Sequence, residues 1–357
     1  MICDIIIELL VDKLWMNKNK IILSYDYELF FGDRSGTVLK SIIGPTNKLM
    51  EIMEHNGFRG NFFVDYLMFR ELEKLKDERA VTDLKLLKDQ VQDMVSRGHR
   101  VELHLHPHWI DAKYNSDGTW DFSDFSHYSL NSLDEETIVG MFKDGTEYLN
   151  NIAGEVEPGY KIVAFRAGGW AVQPFDKLKK GFEASGIIID SSTSYGAYCV
   201  KRNQEYDFRK MPRKDIYTFS TDVCKEDNNG AYTEIPISSF HKPFLLFSLE
   251  RALSKFSKAG IKTTDGTHKR SDSGIAAPRS LSKKITEKFS TSFRHMFNLS
   301  ALTITSLRFA TLTNKVDVLC FIDHPKDFCQ KTINGLNYLG KKYKSVNYID
   351  FSKKEIS

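Results

Sequence analysis

The sequence predicts an α/β fold in which parallel strands are joined by helical crossovers, as a barrel or as a doubly wound sheet. Three observations carry this expectation. Short β-rich runs alternate with longer helical patterns along most of the 357 residues, and such alternation makes successive strands parallel through right-handed connections. With 41% apolar and 27% charged residues the chain has the material for a large core, which excludes a disordered, collagenous or disulfide-stapled protein. Several strand candidates also end in ionisable residues, and parallel strand ends gathered on one face are where such folds carry chemistry.

The chain opens on MICDIIIELLVDKLW, an apolar stretch interrupted by Asp4, Glu8 and Asp12 with no basic run ahead of it. This reads as an amphipathic helix rather than a signal peptide, so residues 1–19 are expected to be an N-terminal extension. Strand candidates follow at Lys20 to Tyr27, Gly60 to Asp65, Arg100 to His106, Lys161 to Arg166, Gly186 to Asp190 and Val316 to Ile322, with weaker ones at Ile216 to Ser220 and Tyr232 to Ile237. Between the first two, PTNKLMEIMEHNG is helical in pattern, with Pro45 suited to a first turn and Gly57 to a C-terminal stop. A mean hydropathy of −0.36 and the lack of a spanning apolar run argue against a transmembrane protein. The five cysteines, Cys3, Cys199, Cys224, Cys320 and Cys329, have no CxxC spacing. Unpaired thiols in a reducing compartment, and hence a cytoplasmic location, are the expectation.

The net charge of +3 is unevenly spread. Residues 241–315 hold 14 Lys and Arg against 4 Asp and Glu, a local net of +10, which leaves 36 against 43 in the remainder. This segment, with its Ser/Gly/Thr-rich stretch IKTTDGTHKRSDSGIAAPRSLSKK, is expected to be a basic, mainly helical insertion into a domain formed by 20–240 and 316–357. Its aromatics are not interleaved as nucleic-acid stacking requires. The partner classes that remain are an anionic or lipid-linked substrate and peripheral contact with a membrane surface.

The chemistry-bearing residues sit at strand ends. In SYDYE, Asp26 and Glu28 share one side of an extended chain. Two carboxylates facing one cavity can divide labour, one binding a cation and the other acting as a base. In GHRVELHLHPHW, His104, His106 and His108 alternate toward one side, and Pro107 ends the strand near His106. Crowded imidazoles repel when protonated but offer neutral lone pairs to a divalent metal. His99, of opposite parity, reads as structural. In AFRAGGW, Arg166 can fork onto a carboxylate and hold Asp26 ionised, while Trp170 is either core or a sugar platform. In CFIDHPK, His324 can donate a proton to a leaving group.

The order SYDYE, GHRVELHLHPH, FRAGGW, IIDSS and FIDHP resembles the polysaccharide deacetylases of the NodB-homology group, carbohydrate esterase family four, over residues 20 to 240 and 316 to 350. The resemblance implies a distorted (β/α) barrel that removes N- or O-acyl groups from sugars with one divalent metal. It assigns Asp26 as catalytic base, Arg166 as the arginine that orients it, His324 as acid, and His104 and His108 as metal histidines. Asp190 falls near the fourth motif and, with Trp170, is expected at the substrate. The usual Asp-Asp pair is absent: Tyr27 takes its second position, so the metal carboxylate falls to Glu28. His106 is a histidine the family pattern does not require, and the arginine motif lacks its usual proline.

The expected function is therefore metal-dependent removal of an acetyl or formyl group from a sugar, a glycan or a nucleotide- or lipid-linked sugar. Zinc suits two histidines and one carboxylate, as do cobalt, nickel and iron(II). Two rival readings are an inactive glycan-binding protein on a deacetylase fold and a facial-triad iron oxygenase.

Overall fold

Ile21, Ile22 and Leu23 start strand β1 (Lys20–Tyr27), in which every residue after Lys20 is buried. A strand buried on both faces belongs inside a parallel sheet covered by helices, and β1 is such an interior strand. The computed structural model describes residues 20–201, 204–254, 257–267 and 294–352. The amphipathic helix expected within residues 1–19, and most of the Ser/Gly/Thr-rich stretch of the basic segment, lie outside the described residues.

Eight further strands join β1: β2 (Asn61–Asp65), β3 (Arg100–Leu105), β4 (Ala164–Ala167), β5 (Ile189–Asp190), β6 (Tyr217–Phe219), β7 (Tyr232–Glu234), β8 (Val318–Asp323) and β9 (Lys344–Ser345). Their order is β6-β7-β5-β4-β3-β2-β1-β8, with β9 also on β1. All pairings are parallel except β6 with β7. The crossovers are the helices α1 (Gly44–His55), α2 (Tyr66–Glu73), α3 (Glu78–Ser96), α4 (Glu135–Gly154) and α5 (Asp176–Ser185). Pro45 lies in the first turn of α1 and Gly57 follows its end at φ 72°, as their residue types require.

The two faces of β1 go to different places. Ile21, Leu23 and Tyr25 join the large apolar core with Leu49, Met53, Leu87 and Phe142 of the helices. Ile22 joins a smaller cluster with Phe63, Val163, Ala164, Ile189, Ile235, Val318 and Tyr348 on the inner face. Inner-face residues further along, Ser24 and Asp26, are polar and buried, so the barrel interior turns from apolar to polar toward the C-terminal strand ends.

The chain after β7 brings the ends of the sheet together. Ile235 and Ile237 donate N–H bonds to Asp190 and Thr193, while Ser238 N donates to Cys320 O at 2.9 Å and Ser238 Oγ accepts from Cys320 N at 3.0 Å. Phe297 continues the bridge, bonding Ser238 O and accepting from Ile322 N. The result is a distorted barrel closed by single hydrogen-bonded residues rather than by a full ladder.

Element bounds differ from expectation where a side chain takes a strand's place. Lys161 to Val163 are not strand, because Glu102 Oε2 accepts the N–H groups of Val163 and Ala164, and Asn150 Oδ1 accepts that of Ile162. Cys199, Cys224, Cys320 and Cys329 are free thiols. Among the described residues no helix is long and apolar enough to cross a membrane.

Candidate functional site

The inner-face residue at the end of each central strand is polar. β1 delivers Asp26 and, just beyond it, Glu28; β2 delivers Asp65; β3 delivers His104 and, one step on, His106; β4 delivers Arg166. Parallel register sets His104 between Asp65 and Arg166. All six are buried.

Arg166 is fully enclosed and every nitrogen is used. Nη1 donates to Asp26 Oδ1 at 2.7 Å, Nε to Ser191 O at 2.8 Å, and Nη2 to Ser24 Oγ, Ser191 Oγ and Tyr348 OH. Its guanidinium lies over the Phe63 ring at 4.1 Å. So held, it fixes one oxygen of Asp26 and leaves Oδ2 toward His324 Nε2, 3.7 Å away. The fork foreseen from sequence is a single bond to Asp26, the other arm being spent on hydroxyls.

Glu28 is the meeting point of the imidazoles. Its Oε2 lies 3.1 Å from His104 Nε2 and 3.5 Å from His106 Nε2, and the three residues form a group whose ligand atoms all lie within 4.8 Å of one another. His104 Nδ1 lies 2.7 Å from Arg166 O. A carbonyl only accepts, so Nδ1 carries a hydrogen; Nε2 donates to Glu28 while the ring is protonated and would offer its lone pair to a cation in place of that proton. His106 repeats the arrangement when its Nδ1 donates to His108 Nδ1 at 3.0 Å. Two imidazole nitrogens and a carboxylate oxygen converge on one point, and this donor set fits a divalent metal. Burial works against charge on His104, but Glu28, Asp26 and Asp65 outweigh it and push the ring up to about 9. Burial and the neighbouring histidines hold His106 well below the usual range, and burial takes His108 down to about 3. The latter two thus stay neutral, the form in which imidazole binds metals. Burial would raise Glu28, yet Lys326, His104, His324 and His106 together keep it well below the carboxylate range.

His108, expected as a ligand, is not in this group. Strand alternation runs only as far as His106; Pro107 then starts a 3-10 turn, Pro107–Asp111, that swings His108 behind His106. There its Nε2 is buried without a hydrogen-bond partner, and Phe31 and Phe122 pack on its ring. Its Nδ1 lies 3.0 Å from His106 Nδ1. His99 is structural as expected: its Nδ1 accepts the Gly60 N–H at 2.9 Å.

His324 stands across the site, with Nε2 3.3 Å from Glu28 Oε1 and Nδ1 3.5 Å from Asp327 Oδ2. Burial and Lys326 disfavour its charged form, but Glu28 and Asp26 prevail and raise its pKa. Two neighbours escaped the sequence reading. Asp65 accepts from Trp109 Nε1 at 2.6 Å and is raised to about 7, chiefly by burial. Lys326, with no exposed surface, donates from Nζ to Glu28 Oε1 at 2.8 Å and to Leu29 O at 2.7 Å. Asp65 has the signature that flagged the others, an ionisable residue at a strand end, whereas Lys326 lies three residues past the end of β8.

The turn after Arg166 presses on the histidines. A Cβ on Gly168 would lie 2.6 Å from the His106 ring, and Gly169 and Trp170 both take φ 60°. Trp170 is half-buried and meets Tyr206 edge-on at 6.0 Å. Behind this turn opens a cleft of about 940 Å³ lined by Ser129, Asn131, Gln173, Tyr198, Gln204 and Tyr206 among others. Asp190 lies apart from the residues around Glu28 in its contacts. It has no exposed surface, Ser192 donates to both its oxygens, and it pairs in register with Glu234, so its carboxylate is engaged within the framework.

No family model matches the chain, and no curated protein does. Among solved structures, a Mycobacterium smegmatis protein described as a polysaccharide deacetylase is 13% identical with TM-score 0.47, over 94% of this chain and 90% of that one. A 4-alpha-glucanotransferase from Thermococcus litoralis has the same identity and TM-score over 96% of this chain and 41% of its own. A GH57 branching enzyme from Thermococcus kodakaraensis is 9% identical, TM-score 0.44, over 95% and 72%. The chain is thus similar in structure, at low identity, to a described polysaccharide deacetylase and to glucan-handling enzymes of related architecture.

Proposed function

We propose that the protein is a metal-dependent hydrolase that removes an acyl group from a sugar or glycan. The observation that carries this reading is the pairing of Arg166-held Asp26 with the Glu28, His104 and His106 group, both under His324. Glu28, His104 and His106 would hold the ion, with zinc the first choice and cobalt, nickel or iron(II) able to use the same donors. When bound, a divalent metal polarises an acyl carbonyl and lowers the pKa of water.

The chain's own residues supply the rest. Asp26 Oδ1 is occupied by Arg166, so Oδ2 is the atom that accepts the proton of the attacking water, and Arg166 holds the carboxylate in place for that task. His324, on the other side of the two carboxylates, carries a proton that the departing amine or alkoxide can take. The cleft lined by hydroxyls and amides suits a saccharide, with Tyr198 and Tyr206 as apolar faces for its rings and Trp170 packed against Tyr206. The glycan-binding reading without catalysis differs only in having no use for this acid–base pair.

The test is release of acetate or formate by zinc-loaded protein from a panel of acylated glycans and nucleotide-linked acylamino sugars. Asp26→Asn should keep the metal and lose turnover by a factor of about 100 or more. Absence of acyl release across the panel, with glycan binding retained, would instead select the non-catalytic reading.

A further inference from the structure

Lysine is rarely buried without a partner, because its ammonium loses hydration that only an ion pair restores. Lys326 is fully buried at the centre of the site, on the 3-10 turn Pro325–Asp327 that follows β8. Its side chain passes the Phe30 and Phe31 rings, with Nζ 5.4 and 4.7 Å from their centroids. Nζ ends 2.8 Å from Glu28 Oε1 and 2.7 Å from Leu29 O. The two oxygens of Glu28 therefore have separate surroundings. Oε1 faces Lys326 and His324, while Oε2 faces His104 and His106.

From this division we infer that Lys326 is a positioning residue of the metal centre, holding Glu28 by Oε1 so that it ligates through Oε2 alone and opposing the ion with a fixed positive charge. The inference rests on the metal-site reading above. A divalent ion held on Oε2 would share the Glu28 carboxylate with the Lys326 ammonium on Oε1, and repulsion between two cations on one carboxylate weakens the hold on the ion. Ion binding made exchangeable in this way differs from a purely structural lysine, whose removal changes stability and leaves ion affinity alone.

The experiment measures Zn²⁺ affinity of the full chain by competition with a chromophoric chelator, for the wild type and Lys326→Met, together with the structure of the zinc-loaded wild type. Lys326→Met should bind Zn²⁺ at least about tenfold more tightly. The loaded wild type should show Glu28 bound through one oxygen, with Nζ still on the other. Equal or weaker zinc affinity in a folded variant overturns the inference, as does a bidentate Glu28. If the variant does not fold, the ligation seen in the loaded wild type decides. A wild type that takes up no stoichiometric zinc, cobalt, nickel or iron(II) fails earlier and removes the metal-site reading itself.

Discussion

At the scale of single residues, the histidine run shows how far alternation along a strand can be followed. His104 and His106 obey it and converge on Glu28, and His108 leaves it because Pro107 turns the chain into a 3-10 helix. The consequence is a ranking. His106→Ala removes a proposed ligand and should reduce zinc affinity more than His108→Ala, which removes only the partner of His106 Nδ1 and should cost roughly 10- to 100-fold. Chelator competition on the two variants measures this, and a larger loss in His108→Ala would return His108 to the ligand set. Asp26, Glu28, His104, Arg166 and His324 were legible in the sequence because each ends an apolar run with a residue type that chemistry needs. Lys326 and Asp65 were not singled out, since a lone lysine or aspartate after a strand is ordinarily a solvated end. Only the tertiary burial of both distinguishes them. For Asp190 the same rule suggests a substrate contact, and in the fold its carboxylate is bonded by Ser192.

Elements position these residues through close approach as much as through strands. The turn Gly168–Trp170 lies against His106, and at Gly168 the missing side chain is the reason it can: a Cβ there would come within 2.6 Å of the ring. The ring in turn is backed by Phe31 at 4.5 Å and Tyr128 at 5.2 Å between centroids, so it has little room to retreat. Gly168→Ala should therefore displace His106 and lower zinc affinity by about tenfold or more, with a destabilisation in the range of about 1–3 kcal/mol typical of overpacking. Metal titration and urea unfolding of the same preparation check both parts. Unchanged zinc affinity would mean that the turn does not set the ring's position. Strand and helix existence was readable from the alternation of patterns, whereas strand ends were not. Nothing local in Lys161 to Val163 reveals that Glu102, some sixty residues earlier, takes the N–H groups of Val163 and Ala164.

For the whole molecule, the decisive event is closure of the barrel by the chain that leaves β7, and a buried carboxyl pair sits at that point. Glu234 ends β7 in register with Asp190, both without exposed surface, and Ile235 N bonds Asp190 O. Thr193 Oγ1 donates to Glu234 Oε1 at 2.8 Å. Burial, reinforced by the charge of Asp190, holds the Glu234 carboxyl well above the usual range, and burial also raises Asp190. A raised carboxyl binds more protons in the folded chain than in the unfolded one. Its contribution is complete below the unfolded pKa and is lost as pH climbs from the ordinary carboxylate range toward the folded value. Glu234→Gln keeps an acceptor for Thr193 and removes the titration. Relative to the wild type it should gain stability progressively as pH rises from about 4, the ordinary carboxylate range, through neutrality. Urea unfolding midpoints of the two proteins across that range test this, because pH effects common to both, including those of the histidine site, cancel in the difference. A difference that stays constant with pH would show that Glu234 is ionised in the folded barrel and that closure tolerates two adjacent buried charges.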